Sequence, residues 1–234
     1  MKYDDGCGRY TLSVKAKDLQ KRYNLAKEPK GIPTSYDIKP THTMPVITAS
    51  EDGKPKLEMM KWGLIPSWWK KDAKIGFSTF NARDDAVFKS GMWRSIYRRR
   101  ALVPATGYFE WTKPPKDSDI EKQKFYFHPK QIDIFSFAGF YDIWKDVEDK
   151  EWKTYTLITT EPNKEARAIH DRMPVILHRE DEASWLEPSR VKREDIEPFI
   201  HPLEDKGLEV YEVSSDAKAY EWNDAGRIAP LNSR

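Results

Sequence analysis

The chain has 234 residues, of which 38% are hydrophobic and 33% charged, with a formal net charge of +2 and a single cysteine. That length and balance suit one domain with its own core and exclude a disordered or fibrous chain, and so small a net charge does not by itself announce a nucleic-acid binder. One cysteine excludes an internal disulfide or a cysteine-based zinc cluster; no apolar run approaches the roughly 20 residues of a membrane span and the acidic start is unlike a signal peptide, so a cytoplasmic protein without membrane contact is expected.

In chain order, the first landmark is Cys7, set between Asp4, Asp5 and Gly6 on one side and Gly8 and Arg9 on the other. Those neighbours predict an accessible thiol, since a structural one more often sits inside a hydrophobic run. Apolar spacing then predicts a helix over 15–24, strands over 44–50 and 56–64, a helix over 86–100, a strand over 101–111 and a polar hairpin loop over 112–123. Further strands are predicted at 124–128, 132–144, 154–160, 173–178 and 208–214, with helices at 163–170, 180–187 and 192–200. Strands scattered among single helices, without a βαβ alternation, predict an α+β fold: a single compact domain with a mainly antiparallel, barrel-like sheet flanked by short helices. There is no internal repeat, and no linker divides the chain.

Several stretches are ill suited to simple packing. "KWGLIPSWW" (61–69) ends a strand in two adjacent tryptophans, Trp68 and Trp69; neighbours on a strand face opposite ways, so at least one ring should be exposed or bound. Lys70, Lys71 and Lys74 follow at once, and Arg94, Arg98, Arg99 and Arg100 crowd the end of the predicted helix, whereas acidic residues gather at 146–151 and 180–187. A basic face beside an acidic back suits phosphate binding, with tryptophan rings to stack bases; solvated charge all round is the plain alternative. In "FNARDDA" (80–86) an extended backbone puts Asn81 and Arg83 on one face, a clamp for sugar or phosphate. Glu110 stands between Phe109 and Trp111: buried, it would be costly to ionise and suited to proton transfer near neutrality; by simple alternation it would face water. His170, Asp171 and Arg172 lie at a helix-to-strand junction, where polar side chains can converge on a cleft, although Asp171 and Arg172 could equally be partners at a helix end.

"CGRY" (7–10), "SYDIKPTH" (35–42), "KWGLIPSWW" (61–69), "FNAR" (80–83), "GYFEW" (107–111) and "IHDRMPVIL" (169–177), in that order and over most of the chain, resemble the SOS-response-associated peptidase (SRAP) family. The resemblance implies a compact α+β fold with a positively charged groove for single-stranded DNA. It also implies a covalent link between an N-terminal cysteine and abasic sites, made without a cofactor or metal by a monomer that joins the nucleoid when bound. Position by position it implies Cys7 as nucleophile, Asn81 as a positioning residue, Glu110 as acid/base and His170 as a second catalytic group. Arg9, Trp68 and Arg83 would line the DNA groove, and Trp69, Lys70 and Lys71, read above from the tryptophan pair and the lysines after it, would bind DNA beside them.

Elementary chemistry agrees with that implication, provided Cys7 heads the chain. A free α-amine with a pKa of about 7.7–8.0 can attack the aldehyde of a ring-opened abasic sugar, and the adjacent thiol can then add to the same carbon, closing a thiazolidine. With residues 1–6 attached the nitrogen is an amide and the ring cannot close. Three readings of this leader stay open: the natural chain starts at Cys7, the protein cuts its own Gly6–Cys7 bond and leaves a domain over 7–234, or the leader stays on a DNA binder that does not crosslink. A thiol peptidase using Cys7 and His170 on other proteins is the remaining alternative. The five histidines lack the close spacing of a metal site.

Overall fold

The computed structural model describes residues 7–70, 79–93, 96–115, 117–215 and 223–231. Among them the strands are β1 (Arg9–Leu12), β2 (Ser35–Ile38), β3 (Thr43–Ala49), β4 (Pro55–Trp62), β5 (Asn81–Arg83), β6 (Arg100–Ala105), β7 (Gly107–Trp111), β8 (Lys124–Pro129), β9 (Phe135–Lys145), β10 (Glu151–Thr160), β11 (Met173–Pro174), β12 (Ile176–Leu177) and β13 (Leu208–Val213). The helices are short: α1 (Ala16–Tyr23), α2 (Asp84–Val87), α3 (Lys164–Arg167), α4 (Glu182–Leu186) and α5 (Arg193–Ile196).

Two sheets form. The smaller runs β13-β8-β7-β1-β2, and the larger runs β11-β10-β4-β3-β6-β9-β12, with β5 added beside β10. Because β10 pairs with β4 along one edge and with β9 along the other, β10, β4, β3, β6 and β9 close into a ring. Among the described residues the pairing is antiparallel except where β4 and β5 run parallel to β10. Near its end β10 parts from β9, and residues 173–177 fill the gap: the Val175 amide donates to Ile158 O at 2.8 Å and the Val175 carbonyl accepts from Ala138 N at 2.9 Å.

Aromatic side chains lock the two sheets together. Trp62 stacks on Tyr155 (6.2 Å between ring centroids, 12°) and Tyr10 meets Trp62 edge-on at 5.3 Å. The Tyr10 and Tyr155 hydroxyls are 2.8 Å apart, which satisfies two polar groups that burial would otherwise penalise. Since such ring pairs contribute ~0.5–1.5 kcal/mol beyond their area, Tyr10 is a principal tie between the small sheet and the ring.

The α+β architecture matches the expectation from pattern, with local exceptions. The helix expected over 86–100 is only α2 followed by turns, because Ser90 and Gly91 interrupt it; Val87, Trp93 and Ile96 still reach the core. The strand expected over 101–111 breaks at Thr106, whose amide donates to Thr11 O at 2.8 Å, so β6 belongs to the ring and β7 to the small sheet. Arg100, read as part of a basic face, is buried with its guanidinium on the carbonyls of Trp185, Tyr97 and Glu187. The loop over 112–123 is the expected hairpin connection, closed by Thr112 N donating to Gln123 O at 3.0 Å.

Candidate functional site

The site forms where the small sheet meets the ring. β1 and β7 are antiparallel with Tyr10 opposite Tyr108 and Arg9 opposite Phe109. Alternation therefore turns Tyr10, Tyr108 and Glu110 toward the ring, and Arg9, Phe109 and Trp111 away from it. Gly107 opens β7 because the Tyr126 hydroxyl and ring cross directly over it; a Cβ there would lie 2.1 Å from that hydroxyl oxygen.

Cys7 precedes β1 and is fully buried, which corrects the expectation of an accessible thiol. Small and acidic neighbours describe the chemistry of the segment, but the bonding of its backbone decides its depth. The Asn81 side-chain amide, on β5, donates to the Cys7 carbonyl at 3.0 Å, and the Cys7 thiol lies 3.5 Å from Arg9 O. Burial, reinforced by the nearby Glu110 carboxylate, pushes the thiol pKa well above its ordinary value. In this setting the sulfur is held as a neutral thiol.

Glu110 is 5% exposed, so it does not face water as plain alternation at a sheet surface would have it. Oε2 lies 3.8 Å from His170 Nε2, and both groups are buried. His170 follows α3, which starts at Asn163 with its side chain accepting from Ala166 N at 3.0 Å; the turn closes with His170 N donating to Ala166 O at 2.8 Å. When the Arg172 amide donates to Nδ1 (3.1 Å), the ring proton is on Nε2, the nitrogen facing Glu110.

The backbone after His170 is pinned from β10 and α2. Arg172 holds Asp84 Oδ1 and Thr159 O, each at 2.5 Å, while Asp84 Oδ2 accepts from the Thr160 hydroxyl at 2.7 Å. Asp171 and Arg172 are thus not partners of one another. Asp171 pairs with Lys113 at 2.7 Å and lies 3.2 Å from His170 Nδ1; the Lys113 ammonium holds its carboxyl below the usual range. An open cleft of about 660 Å³, lined by Lys113, Gln123, Arg167, His170 and Asp171 among others, lies beside this pair and meets the candidate site at His170.

Cys7, Asn81, Glu110 and His170 are therefore brought together, two from the small sheet side and two from elements along β10. The expected DNA-binding residues are more dispersed. Trp68 is 53% exposed, with its ring 5.7 Å from the half-buried Trp69 ring. Their loop leaves β4 through Gly63, which has φ +124° under the Phe80 ring, and is anchored by Ser67 N donating to Asp142 (2.7 Å) and by Trp144 Nε1 donating to Trp69 O (3.0 Å). Lys70 is exposed; Lys71 and Lys74 lie outside the described residues. Arg83 forks onto Asp85 at 3.0 and 2.8 Å. Arg9 pairs with Asp37 at 2.8 Å beside Trp111, on the face of the small sheet away from Cys7.

Three tyrosines near Cys7 escaped the sequence reading. Tyr10, Tyr108 and Tyr155 are buried and their pKa values are raised, chiefly by burial, with Cys7 contributing in each case. Tyr10 and Tyr108 lie inside "CGRY" and "GYFEW", but nothing local distinguishes them, or Tyr155, from other tyrosines of the chain. Among the described residues no cluster of His, Cys, Asp and Glu is arranged to hold a metal ion, and no helix is long and apolar enough to cross a membrane.

Known proteins share this chain's sequence pattern and its fold. The family model described as "SOS response associated peptidase (SRAP)" matches residues 6–219. The chain is 35% identical over 214 residues to the abasic site processing protein YoqW of Bacillus subtilis, covering 89% of this chain and 92% of that one. It is 29% identical over 200 residues to the abasic site processing protein HMCES of Xenopus tropicalis, covering 73% of this chain and 58% of the relative. A crystal structure of a Bacteroides thetaiotaomicron protein superposes with a TM-score of 0.85 at 29% identity, over 96% of this chain and 99% of that one.

Proposed function

The chain belongs to the SOS response associated peptidase family, and from that premise we propose that it processes abasic sites in single-stranded DNA by forming a thiazolidine through Cys7 once residues 1–6 have been removed. The observation that carries the proposal is the convergence of Asn81, Glu110 and His170 on the only cysteine, with the Asn81 amide on the Cys7 carbonyl at 3.0 Å and His170 3.8 Å from Glu110.

The steps follow from what each group can hold. The α-amine of a Cys7 terminus adds to the C1′ aldehyde of the ring-opened sugar to give a carbinolamine. Glu110 and His170, sharing a proton across their gap, protonate the departing hydroxyl, and water leaves as the imine forms. The thiol then adds across the C=N bond: sulfur bonds to C1′ and its proton ends on nitrogen. Asn81 fixes the Cys7 carbonyl, and so aims both nucleophiles. Trp68 and Trp69 offer stacking surface to unpaired bases, with Lys70, Lys71, Arg83 and Arg9 as phosphate contacts. Removal of the leader by attack of the Cys7 thiol on the Gly6 carbonyl, followed by water, would expose the amine without a second enzyme.

A thiol peptidase acting on other proteins is less well supported. Such enzymes lower the thiol pKa with a neighbouring cation, whereas here burial and Glu110 raise it.

The test is incubation of protein terminated at Cys7 with single-stranded DNA carrying one abasic site. A heat-resistant adduct on a denaturing gel is expected, absent for Cys7→Ala. Failure of the Cys7-terminated protein to form any adduct would overturn the proposal, and turnover of an unrelated peptide would favour the peptidase.

A further inference from the structure

Tyr108 is fully buried on β7, two residues before Glu110 and on the same face of that strand. Its ring is fixed on two sides, stacked on Phe127 at 4.8 Å and 14° and edge-on to Phe137 at 5.9 Å. Its hydroxyl has no hydrogen-bond partner among the described residues. Tyr10, directly opposite on β1, is in another situation, for its hydroxyl is satisfied by Tyr155. A phenylalanine would make the same ring contacts without stranding a polar atom, and a stranded buried hydroxyl weakens a fold. Packing therefore does not account for Tyr108.

The surroundings indicate what the hydroxyl is for. The ionisable groups on this face are Glu110 two residues on along the same strand and Tyr10 directly opposite on β1, with Cys7 just ahead of that strand; Tyr155 stands against the Tyr10 hydroxyl and His170 against Glu110. Burial, with the charges of Cys7 and Glu110 adding to it, raises the phenol pKa well above its usual value, so the group keeps its proton and has it to donate. Glu110 and the Tyr10–Tyr155 pair have their own assignments. The sulfur, by contrast, has to lose its proton to close the ring, and nothing described so far favours its anion.

We infer that the Tyr108 hydroxyl is the donor that stabilises the Cys7 thiolate during ring closure. The inference rests on the proposed chemistry. As the thiol proton passes to Glu110, the phenol donates a hydrogen bond to the sulfur anion; sulfur bonds to C1′, the C=N π pair goes to nitrogen, and Glu110 returns the proton there. The phenol gives up no proton itself, and as the sulfur becomes an uncharged thioether the hydrogen bond lapses.

The test is Tyr108→Phe in the Cys7-terminated protein, with two separate readouts. Borohydride trapping on abasic single-stranded DNA captures the imine and reports the amine step alone, whereas accumulation of the heat-resistant adduct without borohydride reports ring closure. Imine trapping at the parent rate is expected with ring closure about 10-fold or more slower, the effect of losing one hydrogen bond to a charged group. Because Cys7 is the only cysteine, its thiolate absorbance near 240 nm, taken as the difference from Cys7→Ala, should titrate about one pH unit higher in DNA-free Tyr108→Phe. Parent-like ring closure and an unmoved thiol titration would overturn the inference. If the unmutated protein traps no imine, the underlying reading has failed instead, and the thiol titration still decides whether Tyr108 acts on the sulfur.

Discussion

Replacing Asn81 by alanine tests the positioning of Cys7 most directly. The amide is 7% exposed and its Nδ2 joins residues 74 positions apart through the 3.0 Å bond to the Cys7 carbonyl. Deleting it removes a neutral hydrogen bond with a net contribution of ~0.5–1.5 kcal/mol and leaves that carbonyl without its amide donor, for a total of ~1–3 kcal/mol. In a chain of this size each kcal/mol moves the melting temperature by about 2–4 °C, so a fall of ~2–12 °C is expected by calorimetry. The chemical effect should be larger than the stability effect, because a displacement on the order of 1 Å in a reacting group slows reaction about 100-fold. Single-turnover adduct formation by the Cys7-terminated variant measures it. Asn81→Asp keeps the size but offers an acceptor in place of the donor, and should be at least as slow. Should Asn81→Ala melt lower yet react at the parent rate, the amide supports the fold and does not aim the nucleophiles.

Glu110→Gln should slow adduct formation by about 10²–10⁴-fold while leaving affinity for intact single-stranded DNA unchanged, and adding His170→Ala should cost little more because the two act as one unit; single-turnover gels and anisotropy measure both. Trp68→Ala should weaken single-stranded DNA binding by ~1–3 kcal/mol in a fluorescence titration without changing the melting temperature, since the ring is largely exposed. Stability should fall on the alkaline side. Cys7, Tyr10, Tyr108 and Tyr155 have folded pKa values above their unfolded ones, so the unfolded chain releases protons first and folding loses free energy as pH rises past about 8.5 for the thiol and about 10 for the phenols. Urea melts across that range should show the decline, and Cys7→Ala should delay its onset to the phenol range.

What could be read from the amino-acid order was the part governed by local spacing. Period-two alternation located β3, β4, β8, β9, β10 and β13 closely, and the proline-containing polar run over 112–123 was correctly a hairpin loop. β1, β2 and β5 escaped because strands of three or four residues carry too few alternations, and their existence depends on partners far away in the chain. Glu110 shows the same division: its aromatic neighbours on the strand were visible, but whether it faced water depended on the sheet packed over it. Cys7 was misjudged as accessible for the same reason, since Asn81, which holds its carbonyl, is 74 positions away. Tyr108 was hidden differently. Its motif was noticed, but only the register opposite Tyr10 and the ring contacts with Phe127 and Phe137 distinguish a stranded hydroxyl from ordinary core.

Cys7 lies just ahead of β1 and Glu110 is on the same small sheet, whereas Asn81 and His170 come from elements along β10. Synthesis must therefore pass residue 170 before the four side chains can stand together, and a local opening of either sheet scatters them again.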